Sequence, residues 1–492
     1  MDKVLTDGGP GSEFPKTAAE FRELLTRNEK PGTDGAMNAR ERITALFDEG
    51  TFTEIGAFTS RRRDLDPASD APEGVLTGYG SVNGCLVYAF AQDLAKTKGA
   101  VSDATADKIV NLYRLAVENG CPVVGSFDSA GADLVAGVRA LAGYGRIMKA
   151  VGSASGVIPQ IAIVPGIAQG AAAVIAAMFD FVIATDKASI SVNPPFVVGG
   201  GKTADNVESG LVSLSVSGDA QAADAARKLL SYLPSNNEEG TAESVPEDDP
   251  DRPTDLSAYL ASRAMGDLLA EIADKHSFLE LGGDCAKSVK TGFLTLDGTA
   301  CGVVATDHAE NGGRLNSLAA RKAARFVLFC DCFRIPLLTF VDSEGFVIAG
   351  EEEKNPFSSE IGKLAGAYAS ARTPLVTLVA GSAYGSVFSV LGSKAIGADL
   401  VLALESAKVG CLNPAAAVAL FENDKIAGDV TREALERSWE DKEANVIHAA
   451  RAGEVDDVID PAELRQRLTS AVLMLSAKSA RAPGRRHANM PL

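Results

Sequence analysis

The chain has 492 residues, of which 46% are hydrophobic and 23% charged, as in an ordinary globular protein with a sizeable core. Its formal net charge is −18, which argues against a nucleic-acid partner because neutralising phosphates requires a basic surface. The sequence lacks the roughly 18 uninterrupted apolar residues needed to cross a bilayer, and its N-terminus lacks a secretion signal. We therefore expect a cytoplasmic protein.

The seven cysteines indicate buried thiols rather than a metal site. Their number is odd, most lie in apolar runs, and Cys330 and Cys332 are too close in sequence for a zinc pair. The four histidines have no metal-ligand spacing either. The sequence therefore predicts no metal site.

Strands and helices alternate along the first half of the chain. Two N-terminal helices within residues 18–49 are followed by a strand at 51–58, and an Asn83-Gly84 turn then joins two strands. This alternation predicts βαβ units and a largely parallel sheet. The remaining predicted elements are strands at 80–82 and 85–91, a helix at 102–119, a strand at 122–127, a helix at 138–151, strands at 161–164 and 180–183, and a helix at 220–233.

The second half repeats this order. The turn Asp297-Gly298 corresponds to Asn83-Gly84, and the strand ending in Asp342 corresponds to the one ending in Asp128. Self-similarity at a spacing of about 200 residues indicates a tandem duplication. Residues 234–255 are rich in proline and acid, so we expect a linker there with no buried face. We predict an N-terminal domain over residues 14–255, which ends in this linker, and a C-terminal domain over residues 256–492.

Each half contains one stretch in which a buried strand, a turn of small residues and the start of a helix follow one another. Small residues let a ligand approach the main chain closely, and free amides at a helix start can hold a developing oxyanion. Two such turns suggest a reaction with two oxyanions, although small residues also suit helix–strand packing. The small residues are Gly166, Ala168, Gly170 and Ala171 in the first turn, and Ser382, Ala383, Gly385 and Ser386 in the second.

Side chains are weaker catalytic candidates. Glu344 follows a predicted strand, but the corresponding loop of the first half has no glutamate, so a mechanism with paired carboxylates is poorly supported. The alternative for Glu344 is a solvated loop acid. The sequence also lacks the GxSxG and HExxH motifs. The backbone amides of the two turns are therefore the favoured chemical groups.

With these motifs the chain resembles the carboxyltransferase subunits of biotin-dependent acyl-CoA carboxylases, transcarboxylases and decarboxylases, such as the propionyl-CoA carboxylase beta chain. The resemblance extends from about Asn38 to Leu492 and implies an α/β fold, a tandem duplication of crotonase (ClpP-like) ββα superhelix domains. The matching segments are ARERITALFDEGTFTEIGAF, GYGSVNG, DSAGADLVAGVRALAGYGRI, SGVIPQIAIVPG, LLSYLPSNN, KAARFVLFCDCFRIPLLTFVD, SAYGSVF, GADLVLA, VIDPAELR and RAPGRRHANMPL.

The resemblance also implies roles for individual residues. The amides of Gly170 and Ala171 are expected to hold a thioester enolate, and those of Ser386 and Val387 the biotin ureido oxygen. By this analogy carboxybiotin releases CO2, the ureido nitrogen takes the α-proton, and the enolate captures CO2. Substrate-contacting positions are expected at Ala130, Gly131, Ala132, Gly166, Gly345, Tyr384, Gly385 and Ser389.

The chain departs from the family pattern at the turns and at the loops beside them. The family usually has two glycines where this chain has Gly170-Ala171, and Gly-Ala where it has Ser386-Val387. The DSGGAR-type loop reads DSAGAD here, and the VDxPGF loop reads VDSEGF. Backbone N–H donors survive such changes, whereas access to them is expected to narrow.

The resemblance implies biotin on a separate carrier protein and a coenzyme A thioester as substrate, because the chain has no Ala-Met-Lys-Met-like biotinyl site. It further implies a dimer-based homo-oligomer, commonly a hexamer, that works with a biotin carboxyl carrier protein and with a biotin carboxylase or membrane decarboxylase subunit. We expect carboxyl transfer to the α-carbon of a short acyl-CoA, such as acetyl- or propionyl-CoA. The alternatives are the carboxyltransferase subunit of a sodium-pumping methylmalonyl-CoA-type decarboxylase, and a non-catalytic scaffold in a carboxylase complex.

Overall fold

The structure is a computed structural model of the chain. It describes residues 17–20, 36–59, 73–246, 248–249, 251–354, 356–426 and 430–479. Most of the first predicted helix and the C-terminal segment RAPGRRHANMPL lie outside the described residues.

Two mixed sheets, one from each half of the chain, form the framework. The strands are β1 Thr53–Glu54, β2 Val75–Val82, β3 Cys85–Gln92, β4 Val123–Ser126, β5 Gln160–Val164, β6 Ile167–Gln169, β7 Phe181–Thr185, β8 Ser189–Ser191, β9 Leu214–Val216, β10 Leu279–Leu281, β11 Val289–Leu296, β12 Thr299–Thr306, β13 Leu337–Ser343, β14 Leu375–Tyr384, β15 Leu400–Leu404, β16 Lys408–Gly410 and β17 Asp457–Ile459.

The two sheets have the same topology. Within the described chain the first has the order β1-β2-β3-β4-β5-β7-β9, and the second has the order β10-β11-β12-β13-β14-β15-β17, with β16 paired to β14. In each sheet the first three strands pair antiparallel, and the strands after them pair parallel. Strands β5 and β7 are buried along their whole length, as expected for parallel strands covered on both faces.

Helices connect the parallel strands, so the α/β prediction is confirmed. Within the described ranges, no helix is both long and apolar enough to cross a bilayer. The α-helices are α1 Ala39–Leu46, α2 Asp103–Asn119, α3 Val138–Ala154, α4 Ala171–Ala177, α5 Pro195–Val198, α6 Thr203–Glu208, α7 Asp219–Leu230, α8 Ser257–Ser262, α9 Met265–Ile272, α10 Ser317–Cys332, α11 Gly350–Lys354, α12 Phe357–Ser370, α13 Ser386–Val390, α14 Pro414–Ala417, α15 Arg432–Glu443, α16 Val446–Arg451 and α17 Leu464–Leu475.

Local signals in the sequence account for most element boundaries. The Ser102 side chain accepts a hydrogen bond from the Thr105 amide and begins α2, and Gly120, in the left-handed region, ends it. The predicted strand at 51–58 is reduced to β1, because the chain turns away at Gly56 with a φ of 69°. Both sheets lie on the expected sides of residue 255, and the domain boundary itself stays a prediction.

The duplication extends to single residues. The hairpin turns at Asn83 and Asp297, and the strand-end aspartates Asp128 and Asp342, are each separated by the same interval of about 214 residues. The short 3₁₀ turns Thr97–Gly99 and Asn311–Gly313 share that spacing. A function found at one turn can therefore be compared with its counterpart position by position.

One apolar core joins the two halves. Phe181 on β7 stacks edge-on against Phe329 on α10, with ring centroids 4.6 Å apart, and it also contacts Phe293 on β11 at 6.0 Å. Tyr232, which follows α7, lies 5.9 Å from the same Phe293 ring. Aromatic pairs of this kind contribute beyond the area they bury, so the halves are held together by interior-like packing.

The predicted linker does not lack a buried face, so that expectation was wrong. Asp248 is only 7% exposed and pairs with Arg252 at 3.0 Å. It also lies 3.8 Å from Arg465, a fully buried residue on α17. Arg465 in turn donates to Asp274 at 2.6 Å, so one buried cation connects the linker, the C-terminal helix and the segment before β10. At least one acid of the linker, Asp248, therefore belongs to a buried ionic cluster and is not there for solvation alone.

Arg465→Ala should lower the free energy of unfolding by about 3–5 kcal/mol, because it leaves two carboxylates buried without their shared partner. Arg467, on the same helix but half exposed and paired with Glu463 at 3.1 Å, is the matched control. Arg467→Ala should cost less than about 1 kcal/mol. Urea unfolding at neutral pH measures both variants, and equal losses would contradict the assignment.

The Arg465 contribution should also depend on pH. Burial by itself would raise the pKa of Asp274, but its hydrogen bonds, including the one from Arg465, hold that pKa below its ordinary value of 3.8. The stabilisation that comes from a lowered carboxyl pKa is fully present above the pKa of the unfolded state. It disappears as the pH falls through the pKa of the folded state. The cost of Arg465→Ala should therefore shrink between about pH 4 and pH 2, and an unchanged cost there would exclude this linkage.

Candidate active site

Each half places a tight turn between a buried strand and the start of a short helix. In the first half Gly170 precedes α4 with a φ of 61°, and in the second Gly385 precedes α13 with a φ of 66°. Both values fall in the region that favours glycine, since a side chain would strain the backbone there. The glycine at these two positions is therefore a requirement of the turn itself.

The structure shows which turn amides are free to bind a ligand. The Gly170 amide donates to the Ser191 carbonyl at 2.9 Å, and the Gly385 amide donates to the Gly410 carbonyl at the same distance. The prediction that Gly170 offers a free donor is therefore contradicted, because its amide already links β6 to β8. This hydrogen bond could not be predicted from the sequence, because its acceptor lies on the neighbouring strand β8.

The amides just beyond these glycines remain available. Ala171 and Ser386 begin α4 and α13, and Val387 follows, so none of them has an intrahelical acceptor. Among the residues that the structure describes, the amides of Ala171, Ser386 and Val387 have no hydrogen-bond acceptor. Ala171 is half-buried and Ser386 is exposed, so both turns can be reached from outside at these two residues, whereas Val387 has no exposed surface.

The loops after β4 and β13 lie against the two turns. In each loop a serine hydroxyl accepts a hydrogen bond from the amide two residues later. Ser129 accepts from the Gly131 amide at 3.2 Å, and Ser343 accepts from the Gly345 amide at 3.1 Å. A methyl group on Gly345 would lie 3.7 Å from the Tyr384 carbonyl oxygen. The structure thus brings Gly131 to the first turn, and Gly345, Tyr384 and Gly385 to the second. The predicted residues on either side of Gly131 bond elsewhere, Ala130 to the Lys98 carbonyl and Ala132 to Val101.

A buried aspartate fixes each loop to its turn. Asp128 accepts the Ile167 amide at 3.2 Å, and Asp342 accepts the Ser382 amide at 2.8 Å. The residue before each amide is a glycine that faces the carboxylate. At Gly166 a methyl group would lie 2.6 Å from the Asp128 carboxylate, so this predicted substrate contact is glycine because of packing against Asp128.

The two aspartates have different cationic partners. Asp128 pairs with Arg42 at 3.2 Å, and burial raises its pKa although the Arg42 charge opposes the shift. Asp342 has no exposed surface and pairs with Arg263, which also donates to the Ser382 hydroxyl at 3.0 Å. Neither arginine could be predicted from the sequence, because each lies far from its aspartate along the chain.

The Asp342 network contains two further polar side chains. Tyr259 donates its hydroxyl to Asp342 at 2.8 Å, and His308 lies 2.9 Å from the Arg263 guanidinium. Burial lowers the pKa of His308, and burial together with the Asp342 charge raises that of Tyr259. His308 is therefore neutral at neutral pH, and its Nε2 is occupied by the contact with Arg263.

A cavity of about 390 Å³ adjoins the second turn. Glu344 is half-buried in its lining, so it is not simply a solvated loop acid. Ser389 lies on the exposed side of α13 and is not among the lining residues. The polar lining residues are Tyr259, Arg263, Glu344, Ser382, Tyr384, Ser406, Lys408 and Glu440.

These two turns are suited to holding negatively charged oxygens. A main-chain amide at a helix start is a fixed donor, and it needs no reorganisation when charge develops on a bound group. Within the described residues, no group of three or more histidine, cysteine, aspartate or glutamate side chains could hold a metal. The main-chain donors are thus the groups here that best fit oxyanion chemistry.

The similarity of the chain to a known protein family identifies the reaction that the chain serves. The chain matches the carboxyl transferase domain over residues 32–490, nearly its whole length. It belongs to the carboxyl transferase family. This carboxyltransferase is therefore a biotin-dependent acyl-CoA enzyme, as its resemblance to that family predicted, and biotin and an acyl-CoA are the molecules its family implies.

Its relatives include a subunit of a carboxylase and a subunit of a decarboxylase. The carboxyltransferase is 36% identical over 484 residues to the propionyl-CoA carboxylase carboxyltransferase subunit of Haloferax mediterranei, covering 93% of this chain and 94% of the relative. It is 36% identical over 501 residues to the methylmalonyl-CoA decarboxylase subunit alpha of Propionigenium modestum, covering 95% and 96%.

A solved structure supports the same assignment. Transcarboxylase 12S, solved with methylmalonyl-coenzyme A and methylmalonic acid bound, matches with a TM-score of 0.91 at 31% identity, covering 97% of this chain and 100% of that one. The crotonase-like fold expected for the carboxyltransferase is thereby confirmed.

Gly381→Ala should destabilise the carboxyltransferase by about 1–3 kcal/mol or more, because the new methyl group would lie 2.3 Å from the Asp342 carboxylate. Gly362→Ala is the matched control, since this helical glycine has open space around its Cβ position. It should stabilise by about 0.5–1 kcal/mol through helix propensity. Thermal unfolding of both variants checks the pair, and a neutral Gly381→Ala would show that the carboxylate can move away.

Proposed function

We propose that the chain moves a carboxyl group between carboxybiotin, on a separate carrier protein, and the α-carbon of a short acyl-CoA such as acetyl- or propionyl-CoA. One observation carries this proposal: two equivalent turns each present main-chain amides that have no acceptor among the described residues. Carboxyl transfer between a thioester and a ureido group passes through two oxyanions, so a duplicated donor site matches the chemistry.

In the first turn we assign the oxyanion donor to the amide of Ala171. The Gly170 amide serves the turn instead, because its bond to Ser191 fixes the direction of the next peptide. Gly131 lies against the same turn, and with its neighbours Ala130 and Ala132 it would form the wall against which the acyl-CoA lies. These donors would stabilise the thioester enolate, as preorganised amides do for other acyl transfers.

In the second turn we assign the donors to Ser386 and Val387, which would hold the ureido oxygen of biotin. When bound, carboxybiotin supplies carbon dioxide and a ureido nitrogen that can accept the α-proton. The chain then needs no side-chain base, which agrees with the position of His308, whose Nε2 faces the Arg263 guanidinium. Gly345, Tyr384 and Gly385 would shape this site, and Ser389 would contact substrate from the exposed side of α13.

We further propose that residues 14–255 form the acyl-CoA side and residues 256–492 the biotin side, with the active site between two copies of the chain. The solved transcarboxylase 12S is a hexamer assembly, which supports a hexamer built from such dimers. A biotin carboxyl carrier protein and a biotin carboxylase would then be the partners.

A second direction of the same reaction is favoured by one relative. The decarboxylase subunit of Propionigenium modestum is as similar to this chain as the carboxylase subunit of Haloferax mediterranei. In this alternative the chain would work with a membrane decarboxylase subunit of a sodium pump. Purification with native partners distinguishes the two: a soluble biotin carboxylase supports carboxylation, and a membrane subunit supports decarboxylation.

Removing one amide from each turn tests the proposed donors. Ala171→Pro and Ser386→Pro delete the N–H at the first helical position, where proline is tolerated, and each should reduce turnover about 100-fold or more. Ala171→Ser and Ser386→Ala keep the amide and should retain most activity. Decarboxylation of methylmalonyl-CoA with free biotin is the assay. Folded proline variants as active as their controls would remove the amides from the mechanism.

A panel of acyl-CoA thioesters tests the substrate assignment. Propionyl- or acetyl-CoA should raise the midpoint of thermal unfolding, because a ligand that binds only the folded state stabilises it. The corresponding malonyl thioester should be decarboxylated in the presence of free biotin. Binding of acyl-CoA without turnover of any thioester in the panel would favour the non-catalytic scaffold instead.

A further inference from the structure

A second cavity, of about 460 Å³, lies between the two halves of the chain. It contacts Phe179 and Asp180, which precede β7, and Val212 and Ser213, which precede β9. These are the amino ends of parallel strands, whereas the turn at Gly170 follows the carboxyl end of β5. The inter-half cavity therefore opens at the edge of the sheet opposite the proposed active site.

The lining of the inter-half cavity is positively charged. Arg321, Lys322 and Arg325 reach it from one face of α10, while Asp180 is the one carboxylate among its described lining residues. Burial raises the pKa of Asp180 to about 7, so at neutral pH part of the population is protonated and opposes these cations less. The lining thus has the opposite sign to the chain as a whole, whose net charge is −18.

Two of these cations are held by main-chain carbonyls rather than by carboxylates. Lys322 donates to the carbonyls of Gly282, Cys285 and Val289 at 2.7, 2.9 and 2.7 Å, which uses all three of its protons. Its charge is thus fixed beside the cavity without a paired anion. Such a charge raises the positive potential at the site even though it makes no direct contact with a ligand.

Arg325 can contact a ligand directly. Its Nη2 donates to the carbonyls of Phe179 and Asp180 at 2.7 and 3.1 Å. Its Nε and Nη1 have no acceptor among the described residues, so three N–H donors remain. Arg321 is different, because its Nε is paired with Glu360 at 3.4 Å. Arg325 is therefore the residue best placed to bind an anion.

The rest of the inter-half cavity is apolar. Phe326 and Phe329 line it from α10 and Phe179 from the opposite wall, and Leu328 lies at the mouth with 47% of its surface exposed. Pockets of about 300–1,000 Å³ with an apolar lining and a few polar groups bind small organic molecules. The lining thus combines a site for one anionic group with a site for an apolar body.

We propose that the inter-half cavity binds an amphipathic organic anion, with its carboxylate, sulfonate or phosphate against Arg325 and its aromatic or branched apolar body against Phe326 and Phe329. This would be a second ligand site on the molecule, separate from the site of carboxyl transfer. A ligand here contacts both halves at once and would stabilise their packing.

Fluorescence titration of the full-length protein with 8-anilinonaphthalene-1-sulfonate tests this site. Wild type should bind one equivalent per chain, and Arg325→Glu should weaken binding about tenfold or more, as loss of a charge-assisted contact predicts. Arg114→Glu, at an exposed arginine on α2 that pairs with Glu118 at 2.7 Å, should leave it unchanged. Leu328→Trp, which fills the mouth, should also weaken binding and guards against a folding defect in Arg325→Glu.

A neutral probe distinguishes the contribution of the anionic group to binding from that of the apolar body. N-phenyl-1-naphthylamine has the same aromatic body without the sulfonate, so its binding should respond to Leu328→Trp and not to Arg325→Glu. The proposal is overturned if wild type does not bind the sulfonate, which includes the case in which a second copy of the chain covers the mouth. It is also overturned if neither variant weakens binding, or if propionyl-CoA displaces the sulfonate.

Discussion

The site depends on one hydrogen bond that occurs twice: a carboxylate at the end of one parallel strand accepts a main-chain amide that lies just before the neighbouring turn. Asp128 makes this bond to Ile167, and Asp342 makes it to Ser382. Each carboxylate fills the space that a side chain would need on the preceding glycine. The turn is thereby held beside the neighbouring loop, and the direction of its free amides is fixed before any ligand arrives.

The two halves share this backbone geometry but differ in the side chains that surround it. Asp128 has one arginine partner, Arg42, whereas Asp342 shares Arg263 with a serine hydroxyl on its own turn and also accepts a tyrosine hydroxyl. The second turn is thus bound into a larger polar network than the first. After duplication, the main-chain donors could stay constant while the side chains around each turn adapted to a different ligand.

Local patterns predicted much of this structure and long-range contacts explain the rest. Alternating strands and helices, the Asn83-Gly84 turn and the small-residue turns are signals within a few residues, so the sheets and both turns were predicted from the sequence. The bond from Gly170 to Ser191, the packing of Gly166 against Asp128, and the burial of Asp248 against Arg465 join distant residues. No periodicity encodes such pairings, and this is why Ala171 replaces Gly170 as the proposed donor.

The aromatic contact between Phe181 and Phe329 has a consequence for how this protein can evolve. Since these rings meet across the two halves, separating the halves into two polypeptides would expose a surface resembling a protein interior. Having both halves in one chain keeps this surface covered. Each half can diverge in the chemistry of its turn, but a change on their shared aromatic surface has to be tolerated by both.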